Sequence, residues 1–168
     1  MLAVFRGVSP EQTFFGRQRG VVLGIAHRYI ESEDLLVTVW HGPVTWEEWE
    51  AVARRQVGDP AWSGGQRRLT DARGADTSAL TPDHAEAISA IYAATGAEFS
   101  GTQLAIVADD MSALAENVRD SLAALRMTAL IFNRLEVACA WFDADADITS
   151  DVIGELRAEL DTQIPRLV

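Results

Sequence analysis

Short β-rich runs alternate along this chain with segments whose apolar side chains recur every three or four positions. That alternation constrains its fold more than anything else in the sequence. The runs are Leu35 to His41, Arg67 to Asp71, Gln103 to Ala108 and Thr128 to Phe132. Repeated strand–helix units imply a largely parallel sheet with right-handed crossovers. A further run, Ile25 to Ile30, is separated from the next only by Glu31-Ser32-Glu33-Asp34. A connection that short makes a hairpin, so the first strand is expected antiparallel to the second. The expected fold is α/β: a five-stranded mixed sheet, mostly parallel, with an N-terminal hairpin and helices packed on it.

The helix signals are explicit. Thr45 followed by Glu48 is a capping box, and Val44 with Trp49 forms a hydrophobic staple across it. Trp49, Val52, Ala53 and Val57 supply the inward stripe, and Gly58-Asp59-Pro60 ends the helix. Thr81-Pro82-Asp83 opens a second helix, with Thr81 as cap and Pro82 in the first turn. Ala85, Ile88, Ile91 and Tyr92 form its inner face, and Gly96 closes it. A third helix follows Asp109 or Asp110, with Met111, Leu114, Val118, Leu122 and Leu125 as its stripe. Asn133 with Glu136 reads as a second capping box before a short helix through Trp141 and Phe142. Val152, Ile153, Leu156, Leu160 and Ile164 make an amphipathic C-terminal helix. Its apolar face needs either its own domain or a second subunit, the latter giving a homodimer.

A chain of 168 residues fits one domain. Three stretches are expected within it: a loosely ordered arm over 1–24, the α/β domain over 25–143, and an acidic linker with the C-terminal helix over 144–168. The net charge of −11 argues against binding a phosphate backbone or an anionic membrane surface. Lone Cys139 forms no internal bridge, which fits a reducing compartment. No apolar run approaches the roughly 20 residues that span a bilayer. Met1 to Arg19 shows no basic run followed by a long apolar core, so the expected location is cytoplasmic.

Several short motifs recur in an order that points to a family. They are Leu36-Val37-Thr38-Val39-Trp40-His41-Gly42 running into Val44-Thr45, then Gly58-Asp59-Pro60-Ala61-Trp62. Leu69-Thr70-Asp71-Ala72-Arg73, Leu80-Thr81-Pro82 and Ala105-Ile106-Val107-Ala108 follow. The last is Phe132-Asn133-Arg134-Leu135-Glu136 before Ala140-Trp141-Phe142. Over His27 to Asp143 the chain resembles the SpoIIAA-like proteins of the STAS-type superfamily, and within it the small uncharacterised bacterial branch. The resemblance implies a βα superhelix and a non-catalytic regulatory or protein-interaction role. Antagonist members carry a phosphoacceptor serine in an Asp-Ser-Ser-Gly pattern, and this chain has Asp76-Thr77-Ser78-Ala79 there. The glycine is missing and the helix cap has moved to Thr81. Ser78 is therefore either a phosphoacceptor or an ordinary loop serine.

Other candidate sites also have two readings. Asp71 and Arg73, at the carboxyl end of the third run, are either a ligand or partner contact or a structural ion pair. Trp46 and Trp62 either mark an interface or greasy pocket, or fill the core. His27, His41 and His84 lack metal-ligand spacing, and Cys139 reads as a buried, inert thiol. Asp143, Asp145, Asp147 and Asp151 fail the calcium-loop template, because Ile148 stands where the turn glycine belongs and Gly154 where the glutamate belongs. They read as a solvated acidic linker. No cofactor and no metal are expected, and no catalytic set is visible. An enzyme would need His41 or His84 beside Asp71 and Arg73. The expected function is a non-catalytic regulatory or protein-binding module. The alternative is a carrier or sensor of a small apolar or lipid ligand.

Overall fold

The computed structural model describes residues 24–58, 66–94, 101–109, 118–120, 122–123 and 126–163. β1 (Ile25–Ile30) and β2 (Leu35–Trp40) form the expected antiparallel hairpin, with Ile30 opposite Leu35. A 3-10 turn over Glu31–Glu33 joins them, and Asp34 closes it in the left-handed region at φ 45°. After the two-residue β3 (Gly42–Pro43) and α1 (Trp46–Gly58) comes β4 (Arg67–Asp71). The two-residue β5 (Ala75–Asp76) then precedes α2 (Pro82–Ala94). β6 (Gln103–Val107), helical residues 118–120 and 122–123, and β7 (Thr128–Phe132) follow. α3 (Leu135–Phe142) and α4 (Ala146–Gln163) complete the described order.

The main sheet runs β1-β2-β4-β6-β7, and every pair after the first is parallel. The parallel strands are neighbours in sequence order. Right-handed crossovers then place their connecting helices on one face. α1, α2 and the helical residues around Val118 and Leu122 occupy that face, and α3 and α4 cover the other. β3 pairs with β5 in a separate parallel ladder, Gly42 opposite Ala75, which the sequence pattern did not suggest.

The two faces are packed differently. On the α3/α4 side, Leu35, Val37, Val39, Leu69, Ala105 and Val107 are fully buried. They meet Leu135, Phe142, Ile153, Leu156 and Leu160 in one core. The apolar stripe of α4 is thus spent on its own sheet. The face on which homodimerisation was expected is covered within the chain. On the α1/α2 side the sheet presents Leu36, Thr38 and Trp40, then Arg68, Thr70 and Ala72, then Leu104, Ile106 and Ala108. The middle of that surface is low, because Thr38 pairs in register with Thr70 and Ala72 follows it.

Two helix starts differ instructively. At α1 the capping box forms as expected: Glu48 N–H donates to Thr45 Oγ1 at 3.3 Å, and Thr45 N–H donates to Glu48 Oε2 at 2.8 Å. Val44 and Trp49 share a core cluster, as the staple requires. At α3 the expected Asn133–Glu136 box does not form. Arg134 is the capping residue, in an extended conformation with no side-chain bond to the helix. The helix starts one residue later than the pattern implied, so Glu136 stands two residues past the cap, not three.

The run of aspartates is also more structural than a solvated linker. Asp143 ends α3 in the left-handed region at φ 56°. Asp145 caps α4 by accepting from Asp147 N–H at 2.8 Å and Ile148 N–H at 3.0 Å. Its own N–H donates to Glu33 Oε2 at 2.9 Å, tying the helix start to the hairpin turn. Among the described residues no cluster of His, Cys, Asp or Glu could hold a metal ion. Among them, too, no helix is long and apolar enough to cross a membrane.

Glu48 joins this capping to the tertiary structure. Its Oε1 accepts from Gly24 N–H at 2.9 Å, and Gly24 O accepts from His41 N–H at 2.8 Å. Gly24 is required there, since a Cβ would sit 2.9 Å from His41 O. Glu48 is 4% exposed, and deleting its carboxyl removes the partner of the buried Gly24 N–H and of the Thr45 N–H. Glu48→Ala is expected to lower stability by about 1–3 kcal/mol, and Glu48→Gln by less. Urea unfolding followed by circular dichroism measures both; equal losses for the two would refute this role.

Candidate functional site

Asp71 is the last residue of β4 and is fully buried in the row Val39–Asp71–Val107. A carboxylate among apolar neighbours is tolerable only when its oxygens are satisfied by charged donors. Arg73 donates through Nε at 2.8 Å, a terminal nitrogen at 3.1 Å and its backbone N–H at 3.2 Å. Arg157, from α4, donates to Asp71 Oδ2 at 2.9 Å and to Arg73 O at 2.9 Å. The hydrogen bond to Asp71 holds the Arg73 proton more firmly than usual. Asp71 and Arg73 therefore form a structural ion pair, and Arg157 makes it a three-residue cluster that docks α4 on the strand ends.

The hydrogen bonds of His41 and His84 run to other partners than that cluster. His41 Nε2 hydrogen-bonds Asp161 Oδ1 at 2.9 Å. His84 Nδ1 accepts from Thr81 N–H at 3.1 Å, the back-bond that Glu supplies in a usual capping box. Its ring stacks on Trp46, with centroids 4.8 Å apart and planes at 18°. Thr81 precedes α2 as expected and is exposed. Ser78 is also exposed, and its N–H donates to Asp76 Oδ1 at 3.0 Å. Hydrogen bonds from Ser78 hold the Asp76 carboxyl below the ordinary carboxylate range. Trp62 lies outside the described residues, as do residues 1–23 of the expected arm, Gly96, Met111, Leu114, Leu125 and Ile164.

A mainly apolar cavity lies on the opposite face of the sheet. Between β2, β4 and β6 and the helices above them is a cavity of about 290 Å³. Trp40, Trp49, Val52, Ile88, Ile106, Leu122 and Met127 give it a mainly apolar wall. Trp40 and Trp49 meet edge to face, with centroids 5.3 Å apart. Small side chains account for the space: Thr38, Thr70, Ala72, Ala85 and Ser89 line it where larger residues would fill it. It reaches Gly74 and Asp109, both exposed, beyond the carboxyl ends of β4 and β6. The strand order has no reversal, so the sheet offers no switch-point crevice. This cavity lies under the crossover helices instead.

A few polar groups interrupt this apolar wall. Arg68 is only 6% exposed, and burial pulls its guanidinium down to about 10, with the Tyr92 phenol opposing the shift. Tyr92 Oη donates to Gln56 Oε1 at 2.7 Å, and burial pushes that phenol up to about 12. The Ser89 hydroxyl is buried without a hydrogen-bond partner among the described residues. An apolar space with a small number of fixed polar groups is the common chemistry of a small-molecule site.

Sequence reasoning singled out neither Arg68 nor Arg157. Arg68 carried a usable signal: two consecutive arginines in the run Arg67 to Asp71 put a charge on each face of a strand that both layers cover. Arg67 resolves its own charge by donating to Phe142 O and Glu33 O. Arg157 gave no such signal, because its partner lies 86 positions away. No protein-family model, curated protein or solved structure matches this chain.

Two outcomes test this geometry. Asp71→Ala leaves Arg73 and Arg157 facing each other without their shared carboxylate, an expected loss of about 3–5 kcal/mol in denaturant unfolding. An unchanged midpoint would refute the cluster as the anchor of α4. Cys139 is 1% exposed and burial pushes its thiol up, against the Thr149 hydrogen bond. Iodoacetamide at neutral pH should label it only after unfolding, as counted by intact mass.

Proposed function

We propose that this chain is a non-catalytic binding module that takes up a small, mainly apolar molecule between its sheet and its crossover helices. The observation that carries the reading is the cavity of about 290 Å³, walled by aliphatic and aromatic side chains. A void of that size in a well-packed protein is strongly unfavourable when empty, and an apolar occupant removes the penalty. The polar cluster at the strand ends supports the same reading from the other side. Asp71, Arg73 and Arg157 hydrogen-bond one another and hold α4 on the strand ends.

The resemblance to SpoIIAA-like proteins agrees with a binding role. A second reading, in which a kinase controls docking of a protein partner, draws on one observation. Ser78 is exposed just before α2 and reaches the Asp76 carboxylate. A phosphate of roughly −2 charge there would repel Asp76 and reshape the turn. The two readings are compatible, with the ligand inside and the docking face at the mouth. The expected location of such a module is the cytoplasm.

The uncharged probe 1-decanol tests the cavity. At about a hundred times its dissociation constant it should raise Tm by ~5–10 °C for a domain of this size. Ser89→Phe fills the space from α2 and removes an unpaired hydroxyl. That variant should melt no lower than the parent without ligand, and its Tm should not respond to decanol. A parent protein whose Tm ignores decanol would overturn the proposal.

A further inference from the structure

The uncharged polar side chains that line the cavity share one property. Gln56, Ser89, Thr38, Thr70, Thr77 and Tyr92 each carry a hydrogen that can be donated. A hydroxyl can also accept, so Gln56 decides between the two roles. It is 6% exposed and stands near the end of α1. Its Oε1 accepts from Tyr92 Oη at 2.7 Å. Burial pushes the Tyr92 phenol up to about 12, so near neutral pH it keeps its proton and remains the donor of that bond. With Oε1 given to Tyr92, Gln56 meets a ligand through its N–H donors. Ser89 stands one turn before Tyr92 on α2, and its hydroxyl is buried without a partner among the described residues. A buried donor left unpaired is costly, and a ligand that accepts from it removes the cost.

Charge and size narrow the class further. Arg68 has an interaction partner of its own, so no anionic ligand is needed to answer it. Asp109 is the one carboxylate among the described lining residues; it is exposed and repels an anion at the mouth. A carbonyl oxygen fits both conditions, because it is uncharged, accepts and cannot donate. At ~30 Å³ for each water-sized group, a cavity of about 290 Å³ holds about ten non-hydrogen atoms. Val52 and Trp49 precede Gln56 by one and two turns of α1 and line the same space, a run of about 10 Å at ~1.5 Å per residue.

Resting on the cavity reading above, we infer that the ligand is an uncharged, mainly apolar molecule with one carbonyl group, its oxygen against the Gln56 amide and its apolar remainder along Val52, Trp49 and Trp40. Tyr92 is a positioning residue in this arrangement. Its hydrogen bond holds the Gln56 amide with the N–H donors toward the ligand.

The test titrates the full chain with 2-octanone and with 2-methyl-1-octene, in which a methylene group replaces the carbonyl oxygen at nearly the same volume. Calorimetry gives the affinities, and infrared difference spectra give the carbonyl stretch of the bound ketone. A hydrogen-bonded carbonyl stretches at lower frequency than one in an apolar solvent. In the parent protein the stretch should fall below its value in hexane. Gln56→Met combined with Tyr92→Phe replaces both partners of the internal bond by apolar groups of similar shape, so neither orphans the other. That double variant should bind the alkene as the parent does and 2-octanone about three- to tenfold more weakly, with the stretch back at its hexane value. Alkene binding also shows that the variant is folded. Tyr92→Phe alone lets the amide rotate and should reduce the shift while alkene affinity holds; an unaltered shift would overturn the role of Tyr92. A parent stretch equal to that in hexane, with both probes bound, would overturn the inference and leave the cavity reading intact. A lowered stretch that persists in the double variant would overturn the assignment to Gln56. Absence of binding by both probes to the parent would overturn both readings.

Discussion

β4 is the middle strand of a sheet covered on both faces, and the rest of the structure follows from that position. Its sequence, Arg67 to Asp71, holds three charged residues, of which Arg68 and Asp71 are buried. Alternation sends Arg68 to one layer and Asp71 to the other. Burying an unpaired charge is prohibitive, so each layer has to supply a solution. On the α3/α4 side the solution is complete within the chain, since Arg73 and Arg157 surround Asp71. On the α1/α2 side Arg68 borders open, mainly apolar space.

The contrast between the two layers has an energetic logic. The α3/α4 layer is dense, with six sheet residues fully buried against two helices. Further ties hold it in place: Arg28 bridges from β1 to Glu155 and Glu159 on α4, and Arg67 reaches carbonyls of α3 and the hairpin turn. Exposed ion pairs such as the Arg28–Glu155 contact contribute little each, but the packing beneath them does not depend on them. A sheet anchored firmly on one side can carry a looser layer on the other. Sites that admit ligands are drawn from such less densely packed regions.

The architecture was legible in the sequence because it rests on local periodicity. The alternating runs, the Thr45–Glu48 box and the three- and four-residue steps of Ile153, Leu156 and Leu160 all encode their elements within a few positions. The Asn133–Glu136 pattern misled because capping boxes compete with the exact point at which a strand releases the chain. There Arg134, still extended, took the cap. The site was much less legible. Asp71 and Arg73 were visible together, but Arg157 enters from α4, and no spacing rule links positions 86 apart. The cavity is a difference between layer spacing and side-chain volume. Thr38, Thr70, Ala85 and Ser89 look unremarkable singly, and only the register places them opposite one another.

The unreversed strand order ties these points together. In doubly wound sheets the chain leaves the middle strands in opposite directions, and a crevice opens at the strand tips. Here α1 and α2 both lie on one face, and the tips of β4 and β6 are closed on the other side by α4 through Arg157. The apolar cavity lies beneath the crossover helices. Its depth is set by the side chains those helices and the strands turn inward: Ala85 and Ser89 from α2, Thr70 and Ala72 from β4 and its end. Enlarging any of them would gain packing and lose the cavity.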